Sequence, residues 1–296
     1  MATHKNLSEQ VIVITGASSG IGLCTALLAA ERGAKLVLAA RSQEILDNIV
    51  DEIEFMDGQA ISVVADVGIR DQVDAIADAA IGTYGRIDTW VNDAGVSIYG
   101  RLDEVSEQDS RKLFDTNFWG VVNGSLAALP YLRESGGALI NVGSEVSDAV
   151  IPLQGMYSAS KHAVKGFTDA LRVEVENIDD SDLTITLIQP TAVDTPYPEH
   201  ARNYMDKEPK LPTPMIDPQQ VAEAILKAAE EGGRDVRIGG MAVMNSILSK
   251  VLPSLADKIA AKQVSRQQHE GTPYNPEGAL YDPGATGRIY GLDQRH

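Results

Sequence analysis

Cysteine is all but missing from this chain of 296 residues, with Cys24 the single example. An internal disulfide is therefore excluded, and the composition suits a reducing compartment. Cys24 falls inside an expected helix with no basic or histidine neighbour, which reads as inert packing. Positive charge is scarce too: 25 Lys and Arg stand against 42 Asp and Glu, a net charge of −17. Such a field repels phosphate backbones and anionic membranes, so neither nucleic acid nor a membrane is an expected partner. An anionic cofactor would have to be held by local groups against it. Long apolar runs are also lacking, none approaching the roughly 18 residues of a membrane span, and no signal-peptide pattern opens the chain. A cytoplasmic protein is the expectation. Histidines and carboxylates show no metal-ligand spacing, so no metal is expected.

Present instead is a hydrophobic fraction of 44%, ample for one buried sheet, in strands and helices that alternate over the first 240 residues. That alternation implies an α/β fold with a doubly wound parallel sheet of about seven strands. Val11-Ile12-Val13-Ile14 is an apolar, β-branched run of the kind buried on both faces. It leads into Gly16-Ala17-Ser18-Ser19-Gly20-Ile21-Gly22, and Leu23 to Arg32 reads as a helix stopped by Gly33. Strand, glycine turn and helix together make a phosphate cradle, because glycine lets the backbone come close and the helix N-terminus offers free N–H groups. The spacing is G-x3-G-x-G. A plain tight turn is the bland alternative.

The second strand, Lys35 to Ala40, is followed by Arg41-Ser42. An acidic residue at such a strand end receives a ribose 2′-hydroxyl, whereas arginine accommodates a 2′-phosphate, so NADP(H) is favoured over NAD(H). Arg41 could otherwise be a solvated turn charge, and Ser42 a helix cap. A third strand ends at Asp66-Val67, suited to an adenine edge or to capping the next helix. The fourth ends in Asn92-Asp93-Ala94-Gly95. One long helix is expected after it, with Leu113, Phe114, Phe118, Val121, Val122 and Leu126 on its apolar face and the polar Asn117 among them.

Ser144 follows the fifth apolar run, and Tyr157 and Lys161 stand four apart, on one face of a helix. A phenol keeps its proton until about pH 10, and a neighbouring ammonium lowers that value, which makes tyrosine a usable acid or base. The sixth strand closes at Gln189-Pro190. From Thr191 to Pro218 prolines recur and forbid a continuous helix or central strand, as in an irregular lid. His200 lies there, where it could meet substrate but reads first as a surface loop residue, while His162 reads as structural. Beyond residue 240 come an apolar stripe of Met244, Ile247, Leu248, Val251, Leu255 and Ile259, interrupted by Pro253, and a tail rich in glycine and proline. The expected division is a catalytic domain over 9–240 and, over 241–296, a C-terminal helix with a partly irregular tail.

With these motifs in this order, the chain resembles the short-chain dehydrogenase/reductase family over about residues 9 to 240. The residues that carry the resemblance are Thr15-Gly16-x3-Gly20-x-Gly22, Asn92-x-Ala94-Gly95, Asn117, Ser144 and Tyr157-x3-Lys161. It implies a Rossmann-type single domain and hydride transfer between NADP(H) and a carbonyl or secondary alcohol. In that family's pattern Tyr157 is the acid/base, Ser144 polarises the carbonyl, Lys161 binds the nicotinamide ribose, and Asn117 holds a water linking Lys161 to solvent. Cofactor contacts are implied for Gly16, Ser18, Ser19, Gly20, Ile21 and Gly22 in the turn, and for Arg41 and Ser42, Asp66 and Val67, and Asn92, Ala94 and Gly95 at the strand ends. Tyr157, Lys161, Pro190, Thr191, Val193 and Thr195 complete that set. Pocket walls are expected from Val96, Glu145, Val146, Gln154 and Thr191. Asp93 stands where the family usually has a second Asn, and Thr191 where it usually has Gly. A homodimer or homotetramer is implied. The competing readings are an enoyl reductase or epimerase on a related fold and a non-catalytic cofactor-binding sensor.

Overall fold

The run Val11–Thr15 forms β1, buried along its whole length, and it lies mid-sheet because strands pair with both of its edges. The computed structural model describes residues 4–179, 181–284 and 287–292, apart from the side chains of Ser246 and Ile247; that part of the expected C-terminal stripe lies outside what is described. After β1 come α1 (Gly20–Glu31), β2 (Lys35–Ala40), α2 (Gln43–Phe55), β3 (Gln59–Val64), α3 (Arg70–Tyr84) and β4 (Thr89–Asn92). A two-residue β5 (Ile98–Tyr99) precedes α4 (Glu107–Phe114) and α5 (Gly120–Ser135). Then follow β6 (Ala138–Val142), α6 (Gly155–Arg172), β7 (Thr184–Pro190), α7 (Tyr197–His200) and β8 (Arg202–Asn203). The last elements are α8 (Pro218–Glu231), β9 (Asp235–Ile238), α9 (Gly240–Val251) and α10 (Pro253–Ala261).

Seven strands make one parallel sheet in the order β3-β2-β1-β4-β6-β7-β9, and β5 pairs with β8 in a separate ribbon. The order reverses between β1 and β4, which opens a crevice at their C-terminal ends, where an open α/β sheet takes its ligands. Helices α1, α2 and α8 cover one face through Leu23, Ile53 and Ile225, while α3, α5 and α6 cover the other through Ile76, Leu132 and Leu171. Burying each such side chain contributes roughly 1.5–3 kcal/mol.

The long helix expected through Asn117 is broken. Between α4 and α5 the residues Asp115–Trp119 form a π turn, a local widening often found at functional sites. It turns the helix's phase, so Leu126 is exposed rather than on the buried face. At the far end Pro253 opens α10 instead of continuing α9, since its missing N–H costs nothing in a first turn. Helix α9 is stitched to the segment after β6: Asn245 donates to Glu145 at 3.1 Å, Ser249 Oγ to the Asp148 carbonyl at 2.9 Å, and Lys250 pairs with Asp148 at 2.8 Å. Among its described residues the tail carries the 3-10 turn Val264–Gln267. It is seated against the domain, with Gln267 and Leu280 fully buried.

Candidate active site

The glycine turn sits between β1 and α1 as the spacing required. Gly16 and Gly20 adopt φ of +76° and +56°, which side chains disfavour, and a Cβ on Gly22 would overlap the Gly16 carbonyl oxygen. A cleft of about 250 Å³ runs from this turn past the ends of β2 and β3 to Ser144, Tyr157 and Lys161. Most of the expected cofactor residues line it, from Ser18 and Ile21 through Arg41, Asp66 and Val67 to Pro190, Val193 and Thr195. Gly22, Asn92 and Asn117 do not. Gly22 serves close packing of the turn. Asn92 is engaged behind the cleft, donating to Asn141 at 2.8 Å and Ser125 at 3.2 Å while accepting from Trp90 at 2.8 Å.

At the inner end of the cleft Ser144 and Tyr157 are half-buried and Lys161 is buried. Ser144 caps the turn Glu145–Ser147, which fixes its hydroxyl at the strand end. Burial pushes the Tyr157 phenol up to about 12, while hydrogen bonds from Ser144 and Tyr197 act in the opposite direction. The Tyr197 ring packs edge-on at 5.4 Å between centroids, and its oxygen lies 2.8 Å from Gln154 Oε1. Lys161 donates to the Val142 carbonyl at 2.8 Å and lies 5.7 Å from the Tyr157 ring centre. Burial lowers its pKa, and Asp93 acts in the opposite direction. Asp93 is therefore more than a substitute for the usual amide. It accepts a hydrogen bond from the Gly22 backbone N–H, and burial raises its pKa to about 7 while nearby Lys161 acts in the opposite direction.

Asn117 donates both amide hydrogens, to the Val96 carbonyl at 2.9 Å and Ser160 Oγ at 3.1 Å, and accepts from the Val96 N–H at 2.8 Å. Its side chain thus ties the π turn to the strand-four loop, and any water relay from Lys161 would have to meet its main chain. Ser42 occupies the N-cap position of α2 but makes no side-chain cap hydrogen bond. Asp66 accepts from Gly68 N–H at 2.9 Å and pairs with Lys112 at 2.7 Å, which holds its pKa below the usual carboxylate range against burial. Thr191 hydrogen-bonds the buried Glu145 carboxyl, which desolvation raises.

Two features of the site escaped the sequence reading. Tyr197 comes from the proline-rich segment and lines the cleft, beside His200, which the sequence allows as a substrate contact and whose pKa burial lowers. The second is the tail, which crosses the cleft mouth as a strap. Arg41 donates to the carbonyls of Leu280 at 3.2 Å and Tyr281 at 3.0 Å, and also to that of Ala279. The Gly20 N–H, a donor at the head of α1, meets the Arg288 carbonyl at 2.9 Å. Tyr281 is anchored on Asp109 at 2.7 Å, and a Cβ on Gly278 would strike the Ala201 backbone. The only hint in the sequence was the run of glycines, which permits a close-lying backbone.

These residues fit a dinucleotide: glycines at the close approach, a helix N-terminus, and a cleft long enough to join Arg41 to Tyr157. Among the described residues no group of three or more His, Cys, Asp or Glu is placed to hold a metal ion, and no helix is long and apolar enough to cross a membrane.

Comparison with known proteins agrees with this geometry. The sequence profile of the short chain dehydrogenase family matches residues 10–205. The uncharacterized oxidoreductase YxnA of Bacillus subtilis is 48% identical over 285 residues, covering 95% of this chain and 80% of that protein. An alcohol dehydrogenase from Thermococcus sibiricus, complexed with 5-hydroxy-NADP, superposes with a TM-score of 0.67 at 28% identity, over 77% of this chain and 94% of its own. A short chain dehydrogenase/reductase from Burkholderia phymatum, in complex with NAD, gives a TM-score of 0.71 at 26% identity, over 92% and 99%.

Proposed function

This chain belongs to the short-chain dehydrogenase family of oxidoreductases, and we propose that it moves hydride between NADP(H) and a ketone or secondary alcohol, with Tyr157 as acid and base. The observation that carries the reading is the placement of Tyr157, Ser144 and Lys161 together at the inner end of a cleft that begins at a glycine turn. The bound nicotinamide supplies hydride to a carbonyl carbon, or receives it from a carbinol carbon. Tyr157 gives its proton to the carbonyl oxygen in reduction and takes the hydroxyl proton in oxidation. Ser144 holds that oxygen beside the phenol. The Lys161 ammonium stabilises the phenolate left when the proton has gone. Steady-state consumption of NADPH and NADH across a panel of ketones, aldehydes and quinones tests the reading; folded protein that consumes neither cofactor with any of them overturns it.

The two directions should respond oppositely to pH. With its pKa raised to about 12 the phenol is protonated at neutrality, the state that reduction needs. Carbonyl reduction is therefore expected to be flat from about pH 6 to 7 and to fall above that as Lys161, whose pKa burial lowers to about 8, loses its charge. Alcohol oxidation needs the phenolate, so its kcat/KM should rise by up to about tenfold per pH unit from about pH 6 to 9. Initial rates in both directions check this, and oxidation that slows as pH rises would place the proton elsewhere.

Cofactor choice follows from Arg41. The strap carbonyls accept its hydrogen bonds without neutralising its charge, and an anionic phosphate forms bonds roughly twice as strong as a neutral acceptor does. One such bond contributes about 1.5–3 kcal/mol, a preference for NADP(H) of roughly tenfold to a hundredfold. Ala40→Asp with Arg41→Ala should shift the ratio of kcat/KM values toward NAD(H). Equal use of both cofactors by the unmodified protein would reduce Arg41 to a turn charge. The proposal extends to self-association, because Trp119 and Leu126 are exposed apolar side chains beside the helix that carries Asn117.

A further inference from the structure

Beyond the catalytic cleft lies a second cavity of about 130 Å³. Its size is comparable to that of apolar cavities, about 150 Å³, that take up a benzene-sized guest. The two share walls: Glu145, Val146, Ile151, Thr191, Ala192 and Pro212 line both. The remaining walls come mainly from α9 and α10, through Met241, Leu248, Pro253, Ala256 and Ile259. Those helices lie outside residues 10–205, the part matched by the family profile. Most of its lining is apolar. At its far end Gln263 carries a buried side-chain oxygen, Oε1, with no hydrogen-bond partner. A buried acceptor left unpaired is costly, and a ligand donor would relieve it.

Resting on the carbonyl-reductase reading above, we infer that the side chamber binds the non-reacting arm of the substrate. The substrate is accordingly an extended, largely apolar ketone or secondary alcohol with a hydroxyl group at the end remote from the reacting carbon. The reacting carbonyl meets Tyr157 and Ser144, the apolar arm passes Val146 and Ile151 under α9, and the distal hydroxyl donates to Gln263 Oε1. Asn245 and Thr191 hydrogen-bond the Glu145 carboxyl at the junction, which keeps it bonded to the protein rather than facing the arm unpartnered.

The test is kcat/KM for 2-alkanones from 2-butanone to 2-octanone. Each methylene that enters an apolar chamber is worth about fourfold, so over four methylenes the octanone-to-butanone ratio should reach roughly two-hundredfold. Ala256→Trp, or independently Leu248→Trp, fills the chamber and should reduce that ratio to a few-fold, with thermal melting confirming the fold. Gln263→Leu should remove the advantage of 8-hydroxyoctan-2-one over 2-octanone, about tenfold or more for a lost hydrogen bond to a buried group. A ratio near one in a protein that does reduce 2-butanone overturns the chamber and leaves the reaction class standing. If no ketone is reduced the reaction class fails instead, and calorimetric binding of the same ketones judges the chamber. Affinity that grows with chain length and is lost in Ala256→Trp then supports it, and affinity independent of length overturns it.

Discussion

Tyr157→Phe is expected to lower kcat by about a hundredfold to ten-thousandfold, the range spanned by general acid–base catalysis, while cofactor affinity stays within about twofold. The substitution removes one oxygen and its proton and little else. The ring still packs edge-on against Tyr197, and Tyr197 keeps Gln154 Oε1 within 2.8 Å, so the local structure loses only the phenol's hydrogen bonds with Ser144 and Tyr197. Ser144 cannot take over the proton, because an aliphatic hydroxyl is a far weaker acid than a phenol, and its oxygen already accepts from the Val146 N–H at the head of its turn. The measurement is kcat by loss of reduced cofactor absorbance, beside cofactor titration by fluorescence. A mutant that turns over within about threefold of the unmodified protein would remove Tyr157 from the chemistry.

Lys161→Ala should be more damaging, because three things go at once. The phenolate loses its nearest cation. The cofactor ribose loses a charged donor, worth about 1.5–3 kcal/mol, so the cofactor Kd should rise roughly tenfold to a hundredfold. Inside the protein the Val142 carbonyl loses its 2.8 Å donor, and Asp93 is left buried beside no positive charge. Burial already raises the Asp93 pKa to about 7, so without Lys161 it takes up a proton readily, and the stability cost is chiefly the lost Val142 hydrogen bond and the space left by the lysine stem. The mutant should therefore melt lower as well. Asp93→Asn in the Lys161→Ala background separates these effects, since it should restore only a small part of the stability and none of the turnover. Cofactor affinity unchanged in Lys161→Ala would show that the lysine acts on Tyr157 alone.

The sheet was legible because buried parallel strands must be continuously apolar, and Val11-Ile12-Val13-Ile14 or Leu139-Ile140 in this chain can be little else. The chemical residues were legible for a related reason: at the strand ends the apolar pattern stops abruptly at glycine, serine or arginine. What the pattern could not convey was phase and reach. Asn117 sits among helix-forming residues, and only its three hydrogen bonds to Val96 and Ser160 show why the helix widens there. Tyr197 and His200 belong to a segment without period, where spacing says nothing of direction. The tail is the extreme case. Its hold on Arg41 runs through backbone carbonyls, which every residue possesses and no side-chain pattern encodes.

That hold changes what cofactor affinity means. Arg41 and the Gly20 N–H already have acceptors in the tail, so a dinucleotide received by the same donors exchanges partners rather than adding them. Its observed Kd is then the open groove's Kd divided by the fraction of molecules with the tail displaced. Reciprocity makes the debt mutual: the factor by which the tail weakens the cofactor is the factor by which the cofactor loosens the tail. The far C-terminus thus becomes a gauge of what the N-terminal glycine turn is holding, readable by a protease or a dye at Tyr290 without any substrate turning over.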